Sequence, residues 1–264
     1  MNALILAGAR NEGLEHALPS GAYRAGLVVG GRTLLESALA ALIGLPGLEK
    51  IVLVGAAELV PDAYRTALAE IVPPGGDLLT NLEKGLAALP HDAPVLVAAS
   101  DMPLLTKAAL GDFVAKCAER EAEIHYPIIR REVYEAAYPG SNRTYLRVRD
   151  GVFTGGNMVL LSSATFHRYK HLIAKAVAWR KQPRRLGRLL GFRFVLGLLG
   201  CRYTVAEIEA KIGSYLGLRV AAVETSFSEI GFDVDTGADV QWVEFYWGGA
   251  TEGAARNEPN LDEE

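Results

Sequence analysis

The chain has 264 residues, of which 50% are hydrophobic and 22% are charged, as is typical of a globular protein and not of a disordered one. The formal net charge of −4 argues against a basic nucleic-acid-binding protein. Cys117 and Cys201 are too far apart for a disulfide framework or a cysteine-based zinc site. No apolar run reaches the ~20 residues that span a bilayer, and the first, Ala3–Ala7, is too short for a signal peptide. We therefore expect a cytoplasmic protein.

The first half of the chain alternates short apolar runs with helical patterns. Ala3–Ala7 is typical of a buried strand, and Thr33 with Glu36 forms a capping box that predicts a helix through Leu42. The further predicted strands are Ile51–Val54, Pro94–Ala99 and Ile124–Ile129, and the further helices are Pro61–Ile71, one capped by Asp77, and one from Thr106 to Arg120. This alternation predicts βαβ units around a parallel sheet.

The second half has a different pattern. Two strands, Thr144–Arg149 and Gly156–Leu161, are predicted on either side of an Asp150-Gly151 turn. We expect two or three helices between Thr165 and Leu218, a strand over Arg219–Glu224, and a last helix after Thr236. The domain prediction is one domain over residues 1–250 that contains a basic helical insertion at 163–218, followed by an acidic, flexible tail at 251–264.

Basic residues are concentrated in one segment. Residues 151–206 hold ten of the 27 Lys and Arg residues and none of the 31 Asp and Glu residues. A basic helix beside the apolar run Leu189–Gly200 would suit an anionic membrane surface. We favour instead a helical cap packed against the domain, because amphipathic helices of this kind are commoner in soluble folds, and a homodimer interface is a further alternative.

Three features follow predicted strands, where α/β sheets bind ligands. The turn from Leu6 through Ala7, Gly8 and Ala9 to Arg10 would let backbone N–H groups approach a phosphate, although it could be a plain turn. Asp101 would suit Mg²⁺, or could cap a turn. Asp233 and Asp235 alternate along an extended segment, so both would face one way, although Asp235 could instead cap the last helix.

The order of six motifs resembles the MobA-like nucleotidyltransferase superfamily. The motifs are ALILAG, VGGRTLLESAL, LLTNLEKGL, VLVAASDMPLLT, TGGNMVLL and GFDVDTGADV. The resemblance covers about residues 1–237 apart from the helical region. It implies a Rossmann-like, GT-A-type α/β fold: a mixed, mostly parallel sheet flanked by helices, here with a helical insertion in the C-terminal third.

The same resemblance implies roles for individual residues. Nucleotide-binding roles fall on Leu6, Ala7, Gly8, Gly76 and Asn81, acceptor-binding roles on Gly156 and Asn157, and metal-binding roles on Asp101 and Asp235, with Asp233 as the alternative to Asp235. Two departures from the family pattern affect the triphosphate side. Ala9 replaces a signature glycine, and Tyr23-Arg24 replaces a Pro-Lys pair, so that Arg24, with Arg10, would supply the catalytic positive charge.

The expected function is transfer of an NMP from an NTP to a phosphorylated small-molecule acceptor, a sugar or polyol phosphate or a cofactor precursor, with release of pyrophosphate. The expected cofactor is Mg²⁺ or Mn²⁺, and nucleic acid is not an expected partner. The alternative is a catalytically degenerate nucleotide-binding or regulatory protein of the same fold, which the departures at Ala9 and Arg24 favour.

Overall fold

The computed structural model describes residues 1–141, 143–179 and 192–251. Within these residues, nine strands form one mixed sheet and two short strands form a hairpin. The strands are β1 (Asn2–Leu6), β2 (Val28–Val29), β3 (Arg32–Thr33), β4 (Ile51–Val54), β5 (Glu70–Val72), β6 (Pro94–Ala99), β7 (Ile124–Arg130), β8 (Leu146–Val148), β9 (Gly151–Gly155), β10 (Met158–Ser162) and β11 (Val220–Thr225).

Helices cover both faces of the sheet. They are α1 (Leu34–Leu42), α2 (Asp62–Arg65), α3 (Leu78–Ala87), α4 (Lys107–Ala118), α5 (Arg131–Ala137), α6 (Ser163–Trp179), α7 (Phe192–Leu199), α8 (Val205–Leu216) and α9 (Gly237–Thr251). The capping box of Thr33 and Glu36 is present at the start of α1, and Asp77 and Thr106 cap α3 and α4. The predicted α/β fold with a mixed, mostly parallel sheet is confirmed.

The sheet order brings the ends of β1 and β6 together. The main path runs β5-β4-β1-β6-β10-β7-β9-β8, and β11 pairs with β7. β1 lies parallel to both β4 and β6, and Leu6 is paired with Ala99. The loops that follow these two strands therefore leave the sheet side by side, at the edge where parallel sheets place their ligands.

Alternate residues of β1 enter two separate hydrophobic cores. Ile5 packs in the core of α1 and α4, with Leu39 and Phe113, while Leu4 packs in the core of α3 and α6, with Leu86. This alternation is what a strand buried on both faces requires. A third cluster joins the long first loop to the last helix through the following side chains: Leu14, Leu27, Phe232, Val234, Trp242 and Val243.

The predicted helix over Pro61–Ile71 was wrong. The chain forms only the short α2 and then the strand β5, whose residues pair in parallel register with β4. An exposed backbone edge on β4 offers hydrogen bonds that a continued helix could not satisfy, so pairing at the sheet edge overrides the local helical pattern.

The predicted strand over Gly156–Leu161 begins two residues too early. β9 pairs with β7 as far as Gly155, after which Gly156 and Asn157 bulge out and β10 continues between β7 and β6. The bulge is held by hydrogen bonds from the Gly156 N–H to the Pro127 carbonyl and from the Asn157 N–H to the Ile230 carbonyl, both at 3.0 Å. It carries Asn157 to the end of β6, where its carbonyl accepts from Ala99 N–H at 3.3 Å.

The helical region between β10 and β11 contains α6, α7 and α8 in the described residues. Part of the basic segment, residues 180–191, and the tail from 252 to 264 lie outside those residues. The division into one domain, an insertion and a tail stays a prediction. None of the helices in the described part of the chain is long and apolar enough to cross a membrane.

Candidate active site

The first loop packs against the start of α3. A Cβ atom at Gly8 would lie 2.7 Å from Asn81 Nδ2 and 2.9 Å from Pro74 Cβ, so only glycine fits here. The Asn81 side chain is buried, and its Oδ1 accepts from the Gly75 N–H at 2.5 Å. The two predicted nucleotide-binding segments, Leu6-Ala7-Gly8 and the start of α3, therefore meet. Gly76 lies in the same α3 loop, where a Cβ atom would meet open space.

Asp101 lies beside the first loop at the end of β6. The Ser100 N–H donates to the Leu6 carbonyl at 3.2 Å, and the Asp101 carbonyl accepts from the Val234 N–H at 3.0 Å. The Asp101 side chain is only 19% exposed, and its buried Oδ1 has no hydrogen-bond partner. Burial, followed by the negative charge of Asp233, raises its pKa to about 6. The negative charge of Asp101, at the carboxyl end of β6, is therefore only partly compensated by its surroundings.

Asp233 and Asp235 join this site through two different arginines. Asp235 forms an ion pair with Arg24, and Asp233 forms one with Arg143. Burial raises the pKa of Asp233, while Arg143 opposes that rise. Asp235 is the more accessible of the two, with 59% of its side chain exposed.

Asp235 does not cap the last helix. Asp239 Oδ2 accepts from the backbone N–H groups of Asp235 and Thr236 at 3.1 and 2.7 Å, and the Asp239 N–H in turn reaches Thr236 Oγ1 at 3.4 Å. Thr236 and Asp239 therefore satisfy the start of α9 in the manner of a capping box. The Asp235 carboxylate is left for the acidic site.

Of the two predicted catalytic arginines, Arg24 reaches the carboxylates. Its Nη1 pairs with Asp235 and lies 3.7 Å from Asp101 Oδ2. Arg10 instead folds back on its own loop, where it donates to the Gly21 carbonyl and to the Tyr23 hydroxyl, both at 2.8 Å, and its guanidinium lies 3.6 Å from the centre of the Tyr23 ring. Through these contacts, Arg10 stabilises the conformation of the loop that carries Arg24.

The predicted acceptor-side residues border Asp233. Asn157 Nδ2 donates to the Gly231 carbonyl at 3.3 Å, and the Asn157 side chain is near enough to Asp233 to lower the pKa of that carboxyl. A Cβ atom at Gly156 would lie 2.7 Å from Ile230 and 2.8 Å from Pro127, so the close approach of the two segments needs glycine. The strand bulge and the segment before α9 are thereby joined beside the carboxylates.

Sequence reasoning missed Arg143. Its side chain is 18% exposed, pairs with Asp233, and donates to the Gly155 carbonyl at 3.1 Å. Its guanidinium also lies 5.5 Å from the centre of the Tyr134 ring. No motif surrounds Arg143 in the sequence, so only the position of its loop over β9 reveals the contact.

The donor set fits one kind of metal site. The described residues contain no group of three or more His, Cys, Asp or Glu side chains that could hold a metal ion. Mg²⁺, however, commonly takes one or two carboxylates and completes its shell with water and substrate phosphates. The unpartnered, buried Oδ1 of Asp101 and the accessible carboxylate of Asp235 suit that arrangement.

The chain is similar to known proteins both in sequence and in fold. The family model of the MobA-like NTP transferase domain matches residues 3–189. A solved structure from Thermus thermophilus, described as a hypothetical transferase, is 37% identical, with a TM-score of 0.80 over 90% of this chain and 98% of that one. No curated protein matches the chain significantly.

More distant structures share the fold. A 4-diphosphocytidyl-2C-methyl-D-erythritol synthase from Anaerococcus prevotii is 14% identical, with a TM-score of 0.57 over 94% of this chain and 97% of that one. A nucleotidyl transferase from Methanothermobacter is 17% identical, with a TM-score of 0.55 over 94% and 98% of the two chains. At these identities the likeness concerns the fold alone.

Proposed function

The chain belongs to the family of MobA-like NTP transferase domains, and we propose that it transfers an NMP from an NTP to a phosphorylated small-molecule acceptor, with release of pyrophosphate. The observation that carries this proposal is the meeting of Asp101, Asp235 and Arg24 at the end of β6, beside the Gly8 loop. Two carboxylates and a guanidinium next to a glycine loop are the groups that a triphosphate with its divalent cation requires.

In the proposed reaction, an oxygen of the acceptor attacks the α-phosphorus of the NTP. A new phosphorus–oxygen bond forms, the bond from the α-phosphorus to the α–β bridging oxygen breaks, and pyrophosphate leaves with the bonding electrons. Catalysis of this kind depends on positioning and on stabilising negative charge.

Each group of residues has a part in that positioning. Leu6, Ala7 and Gly8 present the backbone of the first loop, and Asn81 keeps the Gly75-Gly76 loop next to it. Gly156 and Asn157 border the acceptor side. Asp101 and Asp235 would hold Mg²⁺ or Mn²⁺, which when bound would neutralise charge on the phosphate oxygens. Asp233 is less suited to this role because Arg143 already pairs with it.

The direct test is pyrophosphate release with each of the four NTPs across a panel of sugar and polyol phosphates. We expect turnover with one NTP–acceptor pair in Mg²⁺, and loss of turnover in Asp101→Asn.

The second candidate function is a nucleotide-binding protein that has lost catalysis. It is favoured by Ala9 and by the ion pairing of Arg24 with carboxylates. Tight NTP binding by calorimetry with no transfer to any acceptor would favour it.

Binding of Mn²⁺ distinguishes the two candidate ligands on the last segment. Asp235→Asn should weaken binding at least tenfold, whereas Asp233→Asn should weaken it less, because Asp233 is held by Arg143. The reverse order would assign the second ligand to Asp233.

Four expectations about partners and location stay predictions. They are that the protein does not bind nucleic acid, that it contacts an anionic membrane, that it forms a homodimer, and that it is cytoplasmic.

A further inference from the structure

A guanidinium lies between the two carboxylates that the proposed function assigns to a divalent cation. Arg24 Nη1 pairs with Asp235 and lies 3.7 Å from Asp101 Oδ2, and the Arg24 side chain is only 15% exposed. A like charge disfavours a second cation within about 4–6 Å. Arg24 and a metal ion bound to these carboxylates therefore compete.

The backbone of Arg24 is fixed while its side chain is incompletely satisfied. The Arg24 N–H donates to the Ala9 carbonyl at 2.9 Å, and the preceding Tyr23 is held by Arg10. In contrast, Arg24 Nε is buried without a hydrogen-bond partner, as is Asp101 Oδ1 beside it. Buried polar groups are usually partnered, so two orphaned atoms in one site indicate that another arrangement satisfies them.

We propose that Arg24 is an internal counter-ion that latches the site: it neutralises Asp101 and Asp235 until a divalent cation displaces it, and the released guanidinium then turns to the nucleotide phosphates. This inference rests on the proposed function. It makes metal and nucleotide binding mutually reinforcing, because each ligand favours the arrangement with the guanidinium released.

Binding of Mn²⁺ alone, followed by electron paramagnetic resonance without nucleotide, tests the latch. Arg24→Met removes the competitor with little change in side-chain length, so it should bind Mn²⁺ about tenfold more tightly than the unmodified protein. Arg32→Met is the matched control, because Arg32 is an exposed arginine on β3. The control should stay within about twofold of the unmodified protein. Equal or weaker Mn²⁺ binding in Arg24→Met overturns the proposal.

Thermal unfolding supplies a second measurement. In EDTA, Arg24→Met should unfold at a lower temperature than the unmodified protein, because its carboxylates have lost their counter-ion. Saturating Mn²⁺ should then raise the Tm of the variant more than that of the unmodified protein, as tighter binding to the folded state requires. A smaller rise in the variant contradicts the latch.

Arg24→Lys decides the matter if Arg24→Met does not fold. Lysine keeps the charge but is a point charge on a flexible stem, so it should compete less well for two carboxylates. Mn²⁺ binding tighter than that of the unmodified protein supports the latch, and binding that is equal or weaker overturns it.

The latch and the proposed function can fail separately. Turnover in the unmodified protein together with unchanged Mn²⁺ affinity in Arg24→Met would remove the latch and leave the transferase. Mn²⁺ affinity that is unchanged in Asp101→Asn would remove the metal site and the basis of both proposals.

Discussion

The Val234 N–H donates to the Asp101 carbonyl at 3.0 Å and joins two segments that are far apart in the sequence. This bond places the turn after β6 against the segment that carries Asp233 and Asp235. The backbone therefore brings the three carboxylates into one site, where the guanidinium groups of Arg24 and Arg143 offset part of their mutual repulsion. Such a site should be less stable than its surroundings until a cation is bound.

Asp101→Asn should stabilise the metal-free protein while removing activity. The Asp101 pKa rises from its ordinary 3.8 to about 6 on folding, so the folded state binds this proton more tightly. Its contribution to stability is complete below pH 3.8 and is lost as the pH rises through about 6. In EDTA the variant should therefore match the unmodified protein near pH 4 and exceed it by ~1–3 kcal/mol at pH 8.

Urea unfolding across that pH range measures the difference. The control is Asp92→Asn, because Asp92 is exposed on the surface, and it should show little pH-dependent change. A difference between Asp101→Asn and the unmodified protein that shrinks from pH 4 to pH 8 would contradict the prediction.

Gly8→Ala should damage both stability and nucleotide binding. The added methyl group would meet Asn81 Nδ2 at 2.7 Å and Pro74 Cβ at 2.9 Å, so the loops must move apart, at a cost of ~1–3 kcal/mol. Calorimetry should show NTP binding weakened at least tenfold. Gly111→Ala is the control, because Gly111 lies within α4 with open space around it. The Gly111→Ala control should stabilise the protein by ~0.5–1 kcal/mol. Unaltered NTP binding in Gly8→Ala would argue against the proposed role of the first loop in binding the nucleotide.

Arg143→Met should be strongly destabilising, because it leaves the half-buried Asp233 without its partner. We expect a loss of ~2–4 kcal/mol in the free energy of unfolding, measured in urea. The double variant Arg143→Met/Asp233→Asn should recover part of that loss, since no unpaired charge remains. By comparison, Arg131→Met removes the exposed pair of Arg131 with Glu135 and should cost less than ~1 kcal/mol. Similar losses in the two single variants would show that the ion pair of Arg143 with Asp233 stabilises the protein no more than an exposed ion pair does.

Contact with an anionic membrane should depend on α7. This helix packs on β8, its Phe194 ring lies 4.9 Å from that of Tyr203, and Leu196 is left 51% exposed. Near it, β8 carries the exposed Leu146 and Arg147. An apolar surface flanked by basic residues binds anionic lipid.

Flotation with vesicles of phosphatidylglycerol and phosphatidylcholine at low salt measures this contact. If the helical region contacts the membrane, the unmodified protein should float and Leu196→Asp should remain in the soluble fraction. Val28→Asp makes the same change at an exposed apolar residue on β2 and should float like the unmodified protein. If the unmodified protein stays soluble, the helical region is a cap on the domain or a dimer interface.

The sequence by itself determined the features that short-range patterns encode. Thr33 and Glu36 form the predicted capping box, and the apolar run after Met1 forms a buried strand, because both depend on neighbours within one turn or one strand. The order of motifs also predicted which strand ends meet. It could not predict the pairing of Arg143 with Asp233, since neither residue lies in the other's local pattern.

Only the tertiary structure decided how the chain uses ambiguous segments. The stretch before Val72 has a helical pattern but becomes an edge strand, because β4 offers it unpaired hydrogen-bonding groups. Gly156 and Asn157 leave the strand because β10 must pass from β7 to β6. Likewise, the sequence predicted only that Arg24 would supply a positive charge at the triphosphate side, and the fold places that charge between Asp101 and Asp235. Contacts between distant segments depend on the order of strands in the sheet, which no local pattern contains.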